Sequence, residues 1–174
     1  MSKLTLRDAK IEDAEELVGI YSHYVLNTAV SFEYDVPSVE EFQGRIVSIS
    51  AKYPYIVALR DGKIVGYAYA STFKPRPAYD YSVETTIYVD KNERRTGVGR
   101  ALYDELEVRL KARGIKNMYA CIAMPDVEDV TLTFDSPKFH EKMGYTLIGT
   151  FHKCGNKFGR WYDMCWMEKF IGEH

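Results

Sequence analysis

Between Ser82 and Met124 the chain runs from a β-rich stretch, SVETTIYVD, through the loop RRTGVGR into a helical pattern, GRALYDELEVRLKARG, and out again into NMYACIAM. Leu102, Leu106 and Leu110 recur at helical spacing, and Gly114 supplies the residue type that commonly ends a helix. A strand that returns through a helix comes back parallel to its start, whereas a hairpin makes an antiparallel neighbour. Both kinds of connection are written here. YIVALRDGKIVGYAYAST is two β-rich runs about Asp61-Gly62, the strongest short hairpin signal in the chain. TLIGTFHKCGNKFGRWYDMCWMEKF reads as two strands around a glycine-containing loop. The pattern therefore predicts an α/β protein with a mixed sheet and helices on both faces.

The other segments fit this plan. LTLRDA alternates like a short strand, and Ala14, Leu17, Val18, Tyr21 and Val25 then form a helical stripe. Ser38 with Glu41 is a capping box that opens a second helix, whose stripe is Phe42, Ile46 and Ile49. NMYACIAM is apolar on both faces and reads as a strand buried on both. SPKFHEKMGY is a short helix, with Pro137 in its first turn and Gly144 at its end. The acidic stretch with Asp126, Glu128, Asp129 and Asp135 reads as solvated, and Trp161 and Trp166 read as core. No repeat or linker interrupts residues 1–174, so a single domain is expected.

Composition narrows the function classes. A net charge of −2 gives no basis for nucleic-acid binding, and no apolar run approaches the ~20 residues of a membrane helix. The charged N-terminus does not resemble a signal peptide. Cys121, Cys154 and Cys165 are odd in number without a C-x-x-C spacing, and the four histidines show no zinc-like spacing with them. A cytoplasmic protein with no metal is the expectation.

RRTGVGR lies between a strand ending near Val89 and a helix starting near Gly97. A helix N-terminus leaves backbone N–H groups free and carries partial positive charge, so glycines and arginines there suit an anion. A plain strand–helix turn with solvated arginines is the competing reading. The P-loop pattern is absent, and Leu102 stands where a dinucleotide fingerprint needs its third glycine.

Arg94-x-x-Gly97-x-Gly99 resembles the loop of the GCN5-related N-acetyltransferases (GNAT), in which a helix N-terminus holds the pyrophosphate of acetyl-CoA. The resemblance extends in order through TAVSFEYDVPSVEEFQGRI, YPYIVA, DGKIVGYAYAS, KPRPAYDYSVETTIYV, FHEKMGY and GNKFGRWYDM. Within the family it is similar to the phosphinothricin and methionine sulfoximine/sulfone acetyltransferase branch. It implies the GNAT fold, a central mixed and mostly antiparallel twisted sheet flanked by helices. It also implies acetyl-CoA as co-substrate, no metal, a small amine acceptor and a homodimer.

The resemblance also assigns residues. Ile87, Tyr88, Val89, Arg94, Arg95, Thr96, Gly97, Val98, Gly99 and Arg100 would hold acetyl-CoA, with Asp135, Ser136 and Phe139 of the late helix. The usual asparagine of that helix is missing: Thr133 falls at its spacing and Asp135 is the nearest polar substitute. An amine attacks a thioester only when neutral, so a base is needed. Glu84 matches the family's glutamate. The attack puts negative charge first on the carbonyl oxygen, for which backbone around Tyr88 and Val89 is available, and then on the thiolate. His140, where the branch also has histidine, would be the thiolate's acid or join Glu84 in a proton relay; a structural histidine is the alternative. For the acceptor, Lys74 and Arg76 match the basic loop that clamps its acidic group. Phe32, Glu33, Tyr79 and Tyr88 would form its walls. The rival functions are acetylation of a protein N-terminus or lysine, a CoA-binding sensor without turnover, and RNA binding, which the charge balance disfavours.

Overall fold

The computed structural model describes residues 3–174. The elements follow in the order β1 (Leu4–Asp8), α1 (Ala14–Asn27), α2 (Val39–Ser50), β2 (Tyr55–Arg60), β3 (Lys63–Thr72), β4 (Ser82–Val89), α3 (Val98–Ala112), β5 (Asn117–Met124), α4 (Asp135–Lys142), β6 (Thr146–Lys157) and β7 (Arg160–Phe170). The strands form one sheet in the order β1-β2-β3-β4-β5-β7-β6. Every neighbouring pair is antiparallel except β4 and β5, the two ends of the crossover. Asp61 and Gly62 turn the β2–β3 hairpin with φ of 52° and 80°, the left-handed pair that a tight two-residue hairpin needs.

The sheet separates two apolar clusters. Leu102, Leu106 and Leu110 of α3 are fully buried against Val83, Met118 and Ala120 on one face. Leu17, Tyr21 and Val25 of α1 pack with Phe42 and Ile46 of α2 over Tyr55 and Tyr67 on the other. Ser38 caps α2, its hydroxyl accepting from the Glu41 amide at 3.1 Å, but the reciprocal half of the expected capping box is not seen among the described residues. The Glu41 carboxylate is bonded to Arg45, 2.6 Å away, one helical turn on.

The crossover pair is paired only briefly. Ser82–Glu84 lie against Asn117–Tyr119, and then β4 continues with β3 to Val89 while β5 continues with β7 to Met124. The sheet is split beyond Glu84, and the N-terminus of α3 stands at the open end.

Three expectations are corrected. β5 buries Met118, Ala120 and Ile122, but its other face is only partly covered: Ala123 is buried there, while Cys121 is exposed where that face looks onto the split. Trp161 is 60% exposed, since β6 is an edge strand and the outer side of its hairpin has no layer over it; Trp166 is half-buried beside Phe73. The acidic stretch is not simply solvated. Asp129 Oδ1 accepts from the amides of Thr131 and Leu132, its other oxygen pairs with Arg160, and Leu132 is buried with Ala29, Ala123 and Tyr162. Asp126 and Glu128 are exposed, although Glu128 accepts from the Phe134 amide at 2.7 Å.

Candidate active site

At the mouth of the split, Gly97 is the N-cap of α3 with φ of 87°, and no atom stands within 4 Å of where its Cβ would be. That backbone conformation is strained for any residue with a side chain. Among the described residues the amides of Val98, Gly99 and Arg100 have no hydrogen-bond partner; the first satisfied one is Ala101, donating to Gly97 at 3.0 Å. Three unpartnered donors at the positive end of a helix dipole suit an anion. Side chains here do other work. Val98 is buried, and a Cβ on Gly99 would meet the Phe139 ring at 3.2 Å, so Gly99 lets α4 close on α3. The Thr96 hydroxyl donates to the Glu93 carbonyl at 2.7 Å and shapes the loop. Arg94, Arg95 and Arg100 are exposed around the rim, with Arg95 lying 4.0 Å from exposed Asp135 of α4.

The strand leading to this loop offers backbone as well. Asp90 donates to Val65, which fixes the alternation along β4. Tyr88 therefore bonds to β3, and the peptide groups of Ile87 and Val89 face the split. Of the expected backbone around Tyr88 and Val89, Val89 thus faces the split while Tyr88 does not, and Ile87 is the next peptide group that does. The Val89 carbonyl already accepts a 2.5 Å hydrogen bond from the Tyr24 hydroxyl, and Tyr24 also lies beside Arg94.

Glu84 stands where the split begins, half-buried and with no hydrogen-bond partner among the described residues. Burial raises its pKa above the usual carboxylate value, and the Lys74 charge partly opposes this. His140 is elsewhere. It is 3% exposed in the α3–α4 core, with Nδ1 2.8 Å from the Ser136 carbonyl and Nε2 3.0 Å from the Tyr103 hydroxyl. The carbonyl requires a proton on Nδ1, which leaves Nε2 to accept from Tyr103. Burial pushes His140 down to about 4, so it is a neutral imidazole at pH 7. Glu84 projects from the opposite face of β4 to Val83 and Thr85, which point into the His140 side. These contacts favour the structural alternative for His140 over the roles of thiolate acid or relay partner of Glu84.

On the Glu84 face, Thr86 and Tyr88 of β4 lie beside Tyr67 and Tyr69 of β3. Tyr88 is packed at 4.9 Å from Tyr21, 5.1 Å from Tyr24 and 5.6 Å from Tyr67, so it lies at the inner end of the wall and not at its rim. Lys74 and Arg76 are exposed on the loop after β3, and neither has a carboxylate partner among the described residues. Tyr79 is exposed and edge-on to Phe73. Phe32 reaches over Gly155, filling the space a Cβ would need, and meets Tyr162 at 6.2 Å. Glu33 is held by Arg45 at 2.7 Å, so it comes to the wall as half of an ion pair. Arg45 is a residue the sequence reading missed: its turn-long link to Glu41 was legible, but its reach to Glu33 depends on how the loop after α1 returns.

The family model described as an acetyltransferase (GNAT) domain matches residues 6–166. The chain belongs to the GNAT acetyltransferases. A phosphinothricin N-acetyltransferase of Streptomyces viridochromogenes is 34% identical over 166 residues, 95% of this chain and 87% of the relative. An L-methionine sulfoximine/L-methionine sulfone acetyltransferase of Salmonella typhimurium is 27% identical over 175 residues, 98% of this chain and 96% of the relative. Among solved structures, a phosphinothricin acetyltransferase of Sinorhizobium meliloti in complex with AcCoA superposes with a TM-score of 0.89 at 37% identity, covering 99% of this chain and 90% of that one. As a GNAT enzyme the chain is an acetyl-CoA-dependent N-acetyltransferase, and its residues fit the co-substrate. The free amides of Val98, Gly99 and Arg100 suit a pyrophosphate, and the unpaired edge of β4 suits an amide-containing arm. When bound, acetyl-CoA supplies the activated acetyl thioester. No helix among the described residues is long and apolar enough to cross a membrane, and these residues hold no cluster of metal-ligating side chains.

Proposed function

We propose that this GNAT acetyltransferase acetylates the primary amine of a small anionic amino-acid-like molecule of the phosphinothricin or methionine sulfone/sulfoximine type. The observation that carries this reading is the pair of cations without a carboxylate partner among the described residues, Lys74 and Arg76, on the loop leading to the strand of Glu84. Two cations at that spacing clamp an acidic group, and Glu84 then removes a proton from the amine. The curated relatives act on acceptors of this chemistry by their names. Phe32 and the tyrosine wall would flank the acceptor, Val89 and Ile87 amides would receive the charge on the carbonyl oxygen, and the rim arginines with Asp135 and Ser136 would border acetyl-CoA.

Transfer is direct, within a ternary complex. Cys121 is an exposed residue on the Glu84 side of the split, and desolvation at its sulfur, with the Glu84 charge adding, pushes its pKa up to about 12. At neutral pH it is a thiol and not a nucleophilic thiolate.

The test is release of CoA thiol from acetyl-CoA against methionine sulfone, methionine sulfoximine, phosphinothricin, ordinary amino acids, polyamines and peptides. Turnover with the first three and little with polyamines is expected. Preference for peptides would replace the small-molecule reading, and no amine-dependent release would leave a CoA-binding sensor.

We also propose a homodimer in the cytoplasm. Leu147, Ile148, Phe151, Phe158 and Trp161 are exposed along the β6–β7 hairpin at the sheet edge, and a second copy would cover them. Sedimentation equilibrium should give twice the chain mass; a monomer at micromolar concentration would remove this proposal.

A further inference from the structure

A lysine in the interior needs a reason, and Lys157 is 3% exposed. It ends β6, immediately before the turn to β7. Its Nζ donates to the Val25 carbonyl at 2.7 Å and to the Ser31 carbonyl at 2.6 Å, and it lies 5.2 Å from the centre of the Phe158 ring. Val25 is in the last turn of α1, where carbonyls have no partner within the helix and the dipole is negative. Ser31 lies six residues further on, in the loop that carries Phe32 and Glu33. One ammonium thus fastens the end of a helix, the loop after it and the terminal hairpin.

Neighbouring contacts fall on the same three pieces. The Tyr34 hydroxyl donates to the Asn156 carbonyl at 2.6 Å, and the Phe32 ring occupies the space beside Gly155. On the other side, Ala29 donates to Thr131 at 2.9 Å, and the Thr131 hydroxyl is 3.0 Å from that of Tyr162. Residues 28–34 have no strand or helix of their own, so their shape comes from what holds them. Ser31, the residue before Phe32, is held through its carbonyl by Lys157 and through its hydroxyl by Tyr21, 2.7 Å away; of the two, Lys157 is the one that comes from the terminal hairpin.

We propose that Lys157 is a positioning residue for the acceptor, setting the Ser31–Glu33 segment against the Glu84 wall from the distant hairpin. This rests on the reading of Phe32 and Glu33 as acceptor contacts. Donor binding at the α3 N-terminus shares no residue with the fastening, so the two substrates respond differently to its loss.

Lys157→Met keeps the length of the side chain and removes the donors. It should raise the acceptor KM about 10-fold or more with kcat changed less than about 3-fold. The acetyl-CoA dissociation constant should stay at the wild-type value, and backbone amides of residues 28–34 should exchange hydrogen faster. An unchanged acceptor KM in the folded variant overturns the proposal, as does a parallel weakening of acetyl-CoA binding, which marks a general structural fault. Should Lys157→Met fail to fold, Tyr34→Phe removes the adjacent tie without emptying a buried cation site. Its acceptor KM should rise about 3-fold at constant acetyl-CoA affinity, and no rise overturns the role. If wild-type enzyme turns over no amine, the acceptor reading falls and this role with it. If it turns over and amide exchange at 28–34 is the same in the variant, only the fastening is lost.

Discussion

Glu84→Gln should lower kcat by about 10²- to 10³-fold at neutral pH, with acetyl-CoA binding unchanged by calorimetry. The carboxylate stands at the start of the split without a hydrogen-bond partner, and glutamine keeps its shape but cannot take a proton. The pH profile carries the sign. A base works only when deprotonated, so the rate rises with pH through the Glu84 pKa and levels above it. Burial raises that pKa and Lys74 only partly offsets the rise, so this limb lies above the ordinary glutamate range. It should vanish in Glu84→Gln. It should survive in His140→Phe, because burial keeps His140 neutral at pH 7 and that change removes a core hydrogen bond to Tyr103 instead. Turnover of Glu84→Gln within about 3-fold of wild type would remove Glu84 from the mechanism.

Gly97→Val should weaken acetyl-CoA binding by about 10- to 100-fold, the equivalent of roughly 1–3 kcal/mol of backbone strain. At φ of 87° a β-branched residue either distorts the cap or forces the loop to a different path. Either way the amides of Val98, Gly99 and Arg100 lose their common aim. There is open space around the missing Cβ, so the loss comes from the backbone and not from a clash. A calorimetric titration with acetyl-CoA, beside a thermal melt to show that the domain is folded, is the check. Wild-type affinity would mean that the anion is held chiefly by Arg94, Arg95 and Arg100.

Local signals carried most of the architecture. Asp61-Gly62, the α3 leucines and the Ser38 half of the cap each depend on a few consecutive residues and form as read, whereas the Glu41 carboxylate turns to Arg45 instead of closing the box. The glycine loop was legible for the same reason, because the cradle is made by one stretch of chain. What escaped was set by distant segments. NMYACIAM is apolar on both faces, and nothing in those eight letters says that β4 leaves it after three residues and opens the Cys121 face. His140 read as a candidate acid because the resemblance places a histidine at that position of the late helix. Its burial, and therefore its neutrality, comes from Tyr103 on another helix. Lys157 has no signal at all, since a lysine in a turn-forming stretch ordinarily points to water.

The split sheet divides recognition by the kind of atom involved. In the proposed complex the donor would be met by peptide groups, at the cap of α3 and along β4, and the acceptor by side chains from loops and from the tyrosine ladder. Peptide groups survive almost any substitution, whereas side chains are replaced one at a time. A scaffold of this type can therefore exchange one amine for another by point changes in the acceptor loops and keep its acetyl source throughout. Its chemistry is inherited through the backbone, and its diet is open to revision.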